Sequence, residues 1–213
     1  MTSGYTDDPD DIALAARIRR ELNQIVPLVS RLTARPSNWN GEAVLISTEE
    51  FKGKKLFSCH ILIALTQARQ EVRWRTLIHE ALHSVSAGYN QTDYNDFAGW
   101  EEGVVEQLQR LLRPQILREI GVSVAPEIFM QQESAHLFNR RLAAMESLRS
   151  ALNVPNLQSA QFYIELLSTP IKLRPGVLFG KGSPLIGDER KQFIRTFSRA
   201  NSILKDSAPK VLP

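Results

Sequence analysis

The segment His79-Glu80-Ala81-Leu82-His83 constrains the fold of this chain more than any other feature, because it lies inside a stretch with helical spacing. We predict a helix over 67–87, with Gly88 just past its end. Residues four apart lie on one face of a helix, so both imidazoles of the segment can reach the same ion. The apolar residues of the stretch form a separate face: Leu77, Ile78, Ala81, Leu82 and Val85. The helix must therefore be buried on one side and polar on the other.

The acid inside this segment adds chemistry to the pair of histidines. Glu80 is rotated about 100° from His79 on the helix, where it can address a water on a bound ion. Chance does not account for the pattern, since shuffling a chain with 4 His and 15 Glu would give it only roughly 0.004 times. The segment therefore predicts a metal site with a general base beside it.

A catalytic zinc site needs a third protein ligand and one open position. No further histidine follows at close spacing, since residues 84–89 read Ser-Val-Ser-Ala-Gly-Tyr. The single cysteine, Cys59, lies in a Ser-Cys-His context that does not match the Gly-Cys-Leu context of a thiolate ligand in deformylases. The third ligand is therefore expected to be an acid further along the chain.

Acidic side chains on the next predicted helix can complete the set. Glu102 follows His83 with 18 residues between them, and Glu106 lies one turn further along the same face. Glu101 could ligate in place of Glu102, but Glu102 has an acid four residues later and a glycine directly after it. The polar loop before this helix offers two further acids as alternatives, Asp93 and Asp96.

These features together resemble the gluzincin metallopeptidases: HEALH, then Glu102 after an 18-residue spacer, in the segment Trp100-Glu101-Glu102-Gly103, and an acid four residues after Glu102. The spacing is similar to that of the aminopeptidase N family, and the chain length to that of the single-domain minimal gluzincins. The Gly-x-Met-Glu-Asn segment of the exopeptidases is absent; Asn40-Gly41-Glu42-Ala43 is only superficially similar. We therefore expect an endopeptidase.

The resemblance implies a zincin-like fold, a Zn²⁺ cofactor and a set of roles for these residues. His79, His83 and Glu102 would bind the zinc. Glu80 would act on a zinc-bound water as general base and then pass the proton to the leaving amine as general acid. The implied function is zinc-dependent hydrolysis of peptide bonds in a protein or peptide substrate.

Two outer residues are assigned with alternatives. Glu106 would orient a zinc-ligating histidine, and its alternative role is a surface ion pair with Arg110, four residues later. The donor to the tetrahedral oxyanion is usually a Tyr or His from beyond the glutamate helix. Tyr163, 61 residues past Glu102, is the first candidate, and its alternative role is that of a half-buried core aromatic. Three other residues compete for the donor role: His136, Tyr89 and Tyr94.

The chain as a whole predicts an α+β fold in a single catalytic domain over 1–213. An N-terminal subdomain of about 10–88 carries a small sheet and the active-site helix, and a mainly helical C-terminal subdomain covers about 89–205. Two strand-like runs, 42–47 and 55–65, flank Gly53, which indicates a hairpin. Helices are predicted over 10–32, 67–87, 99–112, 126–152, 156–167 and 188–204, and loops over 89–97 and 169–187.

Charge and hydropathy argue against other classes. The 26 Lys and Arg against 23 Asp and Glu are scattered, so nucleic acid is not an expected partner. No apolar run reaches membrane-spanning length, and the acidic start does not serve as a secretory signal, so we expect a cytoplasmic enzyme without a membrane partner. Two alternatives are a zincin-fold regulatory protease that cleaves one cytosolic partner and a zinc-binding protein without catalysis, which would have no use for Glu80.

Overall fold

The computed structural model describes residues 8–58 and 60–205, so Cys59 and the acidic start at 1–7 lie outside the described residues. Helices dominate these ranges and one three-stranded sheet is present, which confirms the α+β class. None of the helices in these ranges has both the length and the apolar character that a bilayer crossing needs. Of the described residues, 8–58, 60–85 and 112–132 make one compact unit, and 86–111 and 133–205 make another.

The sheet of the first unit contains β1 (Ala43–Ile46), β2 (Gly53–Lys55) and β3 (Ile61–Ala64) in the order β1-β3-β2. β1 runs parallel to β3, and β2 runs antiparallel to it. The predicted hairpin around Gly53 is therefore wrong, because Gly53 begins β2. The reversal lies within the run that was predicted as one strand, where the Leu56 N–H donates to the His60 carbonyl at 2.8 Å.

The predicted helices at 10–32 and 67–87 correspond to α1 (Pro9–Thr33) and to α2 (Leu65–Ala68) followed by α3 (Arg73–His83). α1 packs against α3 through fully buried apolar residues that recur at three and four: Ile18, Leu22, Ile25 and Val29. At the start of α3, Arg73 Nη2 donates to Glu21 Oε1 of α1 at 2.8 Å, and both side chains are buried. This ion pair fixes the first turn of the helix that carries the two histidines.

The predicted loop at 89–97 is wrong, because α4 (Gln91–Glu119) begins there and continues past Pro114. The side chain of Asn90 caps this helix, since its Oδ1 accepts from the Asp93 N–H at 3.0 Å. The backbone leaves helical geometry at Phe97, with φ −130° and ψ 24°. The polar residues of this segment therefore form the capped first turn of α4 and the stretch that leads to its kink.

The predicted helix at 126–152 is divided into α5 (Pro126–Ser134) and α6 (Asn139–Ala151). The side chain of Asn139 explains the break, because its Nδ2 donates to the Glu133 carbonyl at 2.8 Å at the end of α5. A single 3₁₀ turn (Asn156–Gln158) and α7 (Ser159–Leu167) then cover the predicted helix at 156–167.

The predicted loop at 169–187 is also wrong, since it contains a 3₁₀ turn (Ile171–Leu173) and α8 (Arg174–Lys181). Pro175 lies in the first turn of α8, where a missing N–H removes no helical hydrogen bond. The last helix, α9 (Gly187–Lys205), packs against α6 as an amphipathic element and buries Phe193, Ala200 and Leu204.

Candidate metal centre

The two histidines of α3 converge through the same ring nitrogen. His79 and His83 are buried, with 8% and 3% of their surface exposed, and their Nε2 atoms lie 3.2 Å apart. Two nitrogen ligands of a tetrahedral zinc, each about 2.05 Å from the ion, are separated by ~3.3 Å. The spacing of the two rings therefore fits neighbouring ligand positions of one zinc ion.

Glu80 lies on the same helix and is held by strand β2. Its Oε2 accepts from the Lys55 backbone N–H at 2.6 Å, and the side chain is buried. The strand approaches so closely that a Cβ at Gly53 would lie 2.5 Å from Thr76 Cγ2 and 3.0 Å from Glu80 Oε1. Glycine at this position therefore allows the backbone of β2 to orient the carboxylate that the sequence predicts as general base.

Glu102 joins the two histidines in a group that can hold a metal ion. Among the described residues, one ligand atom each of His79, His83 and Glu102 lie within 4.8 Å of one another, and all three side chains are buried. Two imidazole nitrogens and one carboxylate oxygen are donors that zinc prefers, and three protein ligands leave a fourth position open. The donor set is therefore one that a zinc ion can accept.

Glu101, the alternative ligand, is engaged elsewhere. Its fully buried Oε2 accepts from Arg174 Nη1 at 2.5 Å and from Ser86 Oγ at 2.9 Å. Glu101 is not part of the metal-holding group among the described residues. This arrangement supports the preference for Glu102.

Comparisons with protein-family models, with curated proteins and with solved structures find no match for this chain. The case for a metal therefore rests on the donor atoms themselves and on their spacing along α3 and α4.

Tyr94, one of the competing candidates for the oxyanion donor, lies beside Glu102. Its hydroxyl donates to Glu102 Oε1 at 2.5 Å, and the ring of Tyr89 packs edge-on against its ring at 5.6 Å. Burial and then the negative charge of Glu102 raise the pKa of Tyr94 far above its ordinary value, so the phenol stays protonated and able to donate. The missed signal is the Asn90 cap, which places Tyr94 in the first turn of α4 rather than in a loop.

Glu106 is fully buried, although it does form the expected i,i+4 pair with Arg110. Arg110 Nε donates to Glu106 Oε1 at 2.9 Å, and Arg110 Nη2 also donates to Asn139 Oδ1 at 3.0 Å. The pair is therefore not the surface pair of the alternative interpretation. A role for Glu106 in orienting a histidine stays a prediction, and its burial on the same face as Glu102 supports it.

Tyr163, the first candidate for the oxyanion donor, is fully buried on α7. Its hydroxyl donates to Glu146 Oε1 of α6 at 2.6 Å, and the same oxygen accepts from Gln107 Nε2 at 3.0 Å. Burial and then Glu146 raise the pKa of Tyr163 above its ordinary value. These contacts give Tyr163 a structural partner, and its catalytic role stays a prediction.

The other candidates have local contacts of their own. The His136 ring packs edge-on against Phe138, and its Nδ1 accepts from the Phe138 N–H at 3.3 Å. Asp93 Oδ2 accepts from Asn90 Nδ2 at 3.1 Å, and Asp96 is exposed. None of the three belongs to the metal-holding group among the described residues.

Proposed function

We propose that this protein is a zinc-dependent metalloendopeptidase with a zincin-like, gluzincin-type site that hydrolyses peptide bonds of protein or peptide substrates. The observation that carries the proposal is the convergence of ligand atoms from His79, His83 and Glu102 within 4.8 Å. Glu80, held by its bond to Lys55, stands beside the first histidine on the same helix. Metal ligands with an adjacent carboxylate form one arrangement that can hydrolyse an unactivated amide.

Three protein ligands favour catalysis over a structural role. Structural zinc sites are closed by four protein ligands, whereas catalytic sites keep one position for water or substrate. A zinc ion bound there would supply Lewis acidity for the activation of a water and of the scissile carbonyl. His79, His83 and Glu102 would hold the ion.

The proton transfers fall to Glu80. A carboxylate accepts the proton of the attacking water, and the resulting carboxylic acid then gives it to the leaving amine. The Lys55 N–H donates to Oε2 and fixes the direction of the carboxylate. The base is therefore oriented before the substrate binds.

Tyr94 is better supported as the oxyanion donor than Tyr163. The Tyr94 hydroxyl contacts a carboxylate that we propose as a metal ligand, whereas the Tyr163 hydroxyl contacts Glu146. A phenol donates one hydrogen bond, so in this role the Tyr94 O–H would turn from Glu102 to the developing negative charge beside the metal. We therefore place Tyr94 in the donor role and Tyr163 in the core of the helical unit.

Phenylalanine variants of the two tyrosines distinguish these roles. Tyr94→Phe should lower kcat by about 10²–10³-fold with little change in KM, because one oxyanion donor is removed. Tyr163→Phe should keep kcat per folded molecule and lose about 0.5–1.5 kcal/mol of stability with its hydrogen bond. Steady-state kinetics and thermal unfolding of both variants provide the readouts. The reverse pattern would return the donor role to Tyr163.

The proposal as a whole is tested by metal content and by metal-dependent cleavage. Purified protein should contain one zinc per chain by elemental analysis, and a peptide library should be cleaved internally by the zinc-loaded protein. Treatment with a chelator should stop cleavage, and added Zn²⁺ should restore it. Protein without bound zinc, or cleavage that survives complete metal removal, would contradict the proposal; zinc without any cleavage would remove the peptidase activity from it.

A further inference from the structure

α4 presents two adjacent acids to the interior, and a metal could take either one. Glu101 and Glu102 are both buried, and neighbouring residues on a helix point about 100° apart. Carboxylates are chemically equivalent as zinc ligands, so residue type alone does not select between them. A rotation of α4 about its axis by about 100° would therefore bring one of the two side chains to the direction that the other now has. The choice of ligand therefore needs a physical cause beyond the acid itself.

A buried cluster formed by Ser86, Glu101 and Arg174 supplies that cause. Arg174 Nη1 donates to Glu101 Oε2 at 2.5 Å, Arg174 Nη2 donates to Ser86 Oγ at 2.7 Å, and Ser86 Oγ donates to Glu101 Oε2 at 2.9 Å. The three contacts close a triangle, and neither charged side chain has any exposed surface. The geometry directs the carboxylate of Glu101 towards the guanidinium.

The arginine of this cluster is itself held in place. Its Nε donates to the Thr169 carbonyl at 3.1 Å, and it begins α8 directly after a 3₁₀ turn. The chain beside Ser86 is attached to the same region, since the Ala87 N–H donates to the Leu167 carbonyl at 2.9 Å. A Cβ at Gly88 would lie 3.2 Å from Pro170, so these backbones are in close contact. The cluster therefore has little freedom to follow a rotation of α4.

Stability alone does not explain such a pair. Removing two charges from water is costly, and well-packed apolar side chains of similar volume often give an equal or more stable fold. A buried ion pair is better suited to specifying one arrangement among similar alternatives.

We propose that Arg174 is a positioning residue that retains Glu101, so that Glu102 is the acid of α4 that binds the metal. This inference rests on the zinc site of the proposed function and adds the selection of its third ligand. It predicts that Glu101 can replace Glu102 once Arg174 is removed. A role for Arg174 in folding alone predicts no such replacement.

The test is a double-mutant cycle with zinc affinity as its readout, measured by competition with a chelator of known affinity. Glu102→Ala alone should weaken zinc binding by more than the roughly 10–100-fold typical of outer-shell losses. In the Arg174→Met background, the loss of zinc affinity caused by Glu102→Ala should be at least about tenfold smaller than in the wild type. If the two sites were independent, the two losses would agree to within about twofold. An equal penalty for Glu102→Ala in both backgrounds would overturn the proposal.

Two further backgrounds keep the test decisive. Glu101→Gln/Arg174→Met removes both charges, so no spare carboxylate exists and the full penalty of Glu102→Ala should return. A reduced penalty there would mean that α4 has merely loosened, which would overturn the proposal.

If Arg174→Met does not fold by circular dichroism, Arg174→Lys replaces it. Lys lacks the planar fork of Arg and should give an intermediate reduction, and an unchanged penalty would overturn the proposal.

The failure of this inference is distinguishable from the failure of the proposed function. Wild-type protein that binds no zinc would overturn both. The role of Arg174 alone would be overturned by a different result. In that result the wild type binds zinc, and Glu102→Ala lowers the zinc affinity equally in every background.

Discussion

Under the proposed function, replacing Glu80 with Gln should lower peptide hydrolysis by orders of magnitude while zinc binding is retained. Glutamine has the shape of glutamate and can still accept the Lys55 N–H that now reaches Glu80 Oε2, so the fold around the site should persist. It cannot accept the proton of the attacking water, and loss of a general base lowers turnover by about 10²–10⁴-fold. The measurements are kcat on a peptide identified from the library, zinc per chain and the midpoint of thermal unfolding.

The matched control for this substitution is Glu50→Gln, which makes the same chemical change at an exposed position. The control should keep wild-type turnover, zinc content and unfolding temperature. Wild-type turnover in Glu80→Gln would rule out Glu80 as the base, and loss of zinc in Glu80→Gln would place Glu80 among the ligands instead of beside the water.

Alanine at His79 or His83 should remove stoichiometric zinc. Each substitution deletes one of two imidazole nitrogens that lie 3.2 Å apart, so the loss in affinity should exceed the roughly 10–100-fold that outer-shell partners contribute. Ligand binding to the native state raises stability, by about 2.7 kcal/mol at a free concentration 100 times Kd. Added Zn²⁺ should therefore raise the unfolding temperature of the wild type and leave that of either variant unchanged.

The remaining histidines are the controls for the zinc measurement. His60 contacts Ser58 and Asn40, and His136 contacts Phe138. Alanine at His60 or at His136 should keep one zinc per chain and the zinc-dependent rise in unfolding temperature. Full zinc retention in the double variant His79→Ala/His83→Ala would exclude the metal site altogether.

Local signals predicted those helices that bury one continuous apolar face. α1 and α9 follow such faces, and their predicted and observed ranges agree to within one residue at each end. For α3 the predicted polar side is wrong, because all 11 of its residues are buried, and so is the predicted end beside Gly88, because the helix ends at His83. The start of α4 was missed because its Asn and Asp residues, which favour loops in general, here serve as a cap. α8 was missed because glycine and proline dominate its sequence, although proline is tolerated in a first turn.

In the candidate site, too, the local relations could be predicted from the sequence and the long-range contacts could not. His79, Glu80 and His83 are within five residues, so helix geometry alone relates them, and the spacing to Glu102 came from a family resemblance. The contact between Glu101 and Arg174 joins residues 73 positions apart, and the bond from Lys55 to Glu80 joins residues 25 apart. Pairs of this kind depend on how distant segments pack, and no periodicity in a single sequence encodes them.

The hydrogen bond between Lys55 and Glu80 also bears on how the sheet avoids association with other molecules. β2 lies at one edge of the described sheet, and edge strands with unpaired backbone groups can seed intermolecular strand pairing. β2 is only three residues long, and its Lys55 N–H is already bonded to Glu80. The carboxylate that we propose as the base thus occupies a backbone donor that strand pairing would otherwise use, so one hydrogen bond serves both the edge of the sheet and the candidate site.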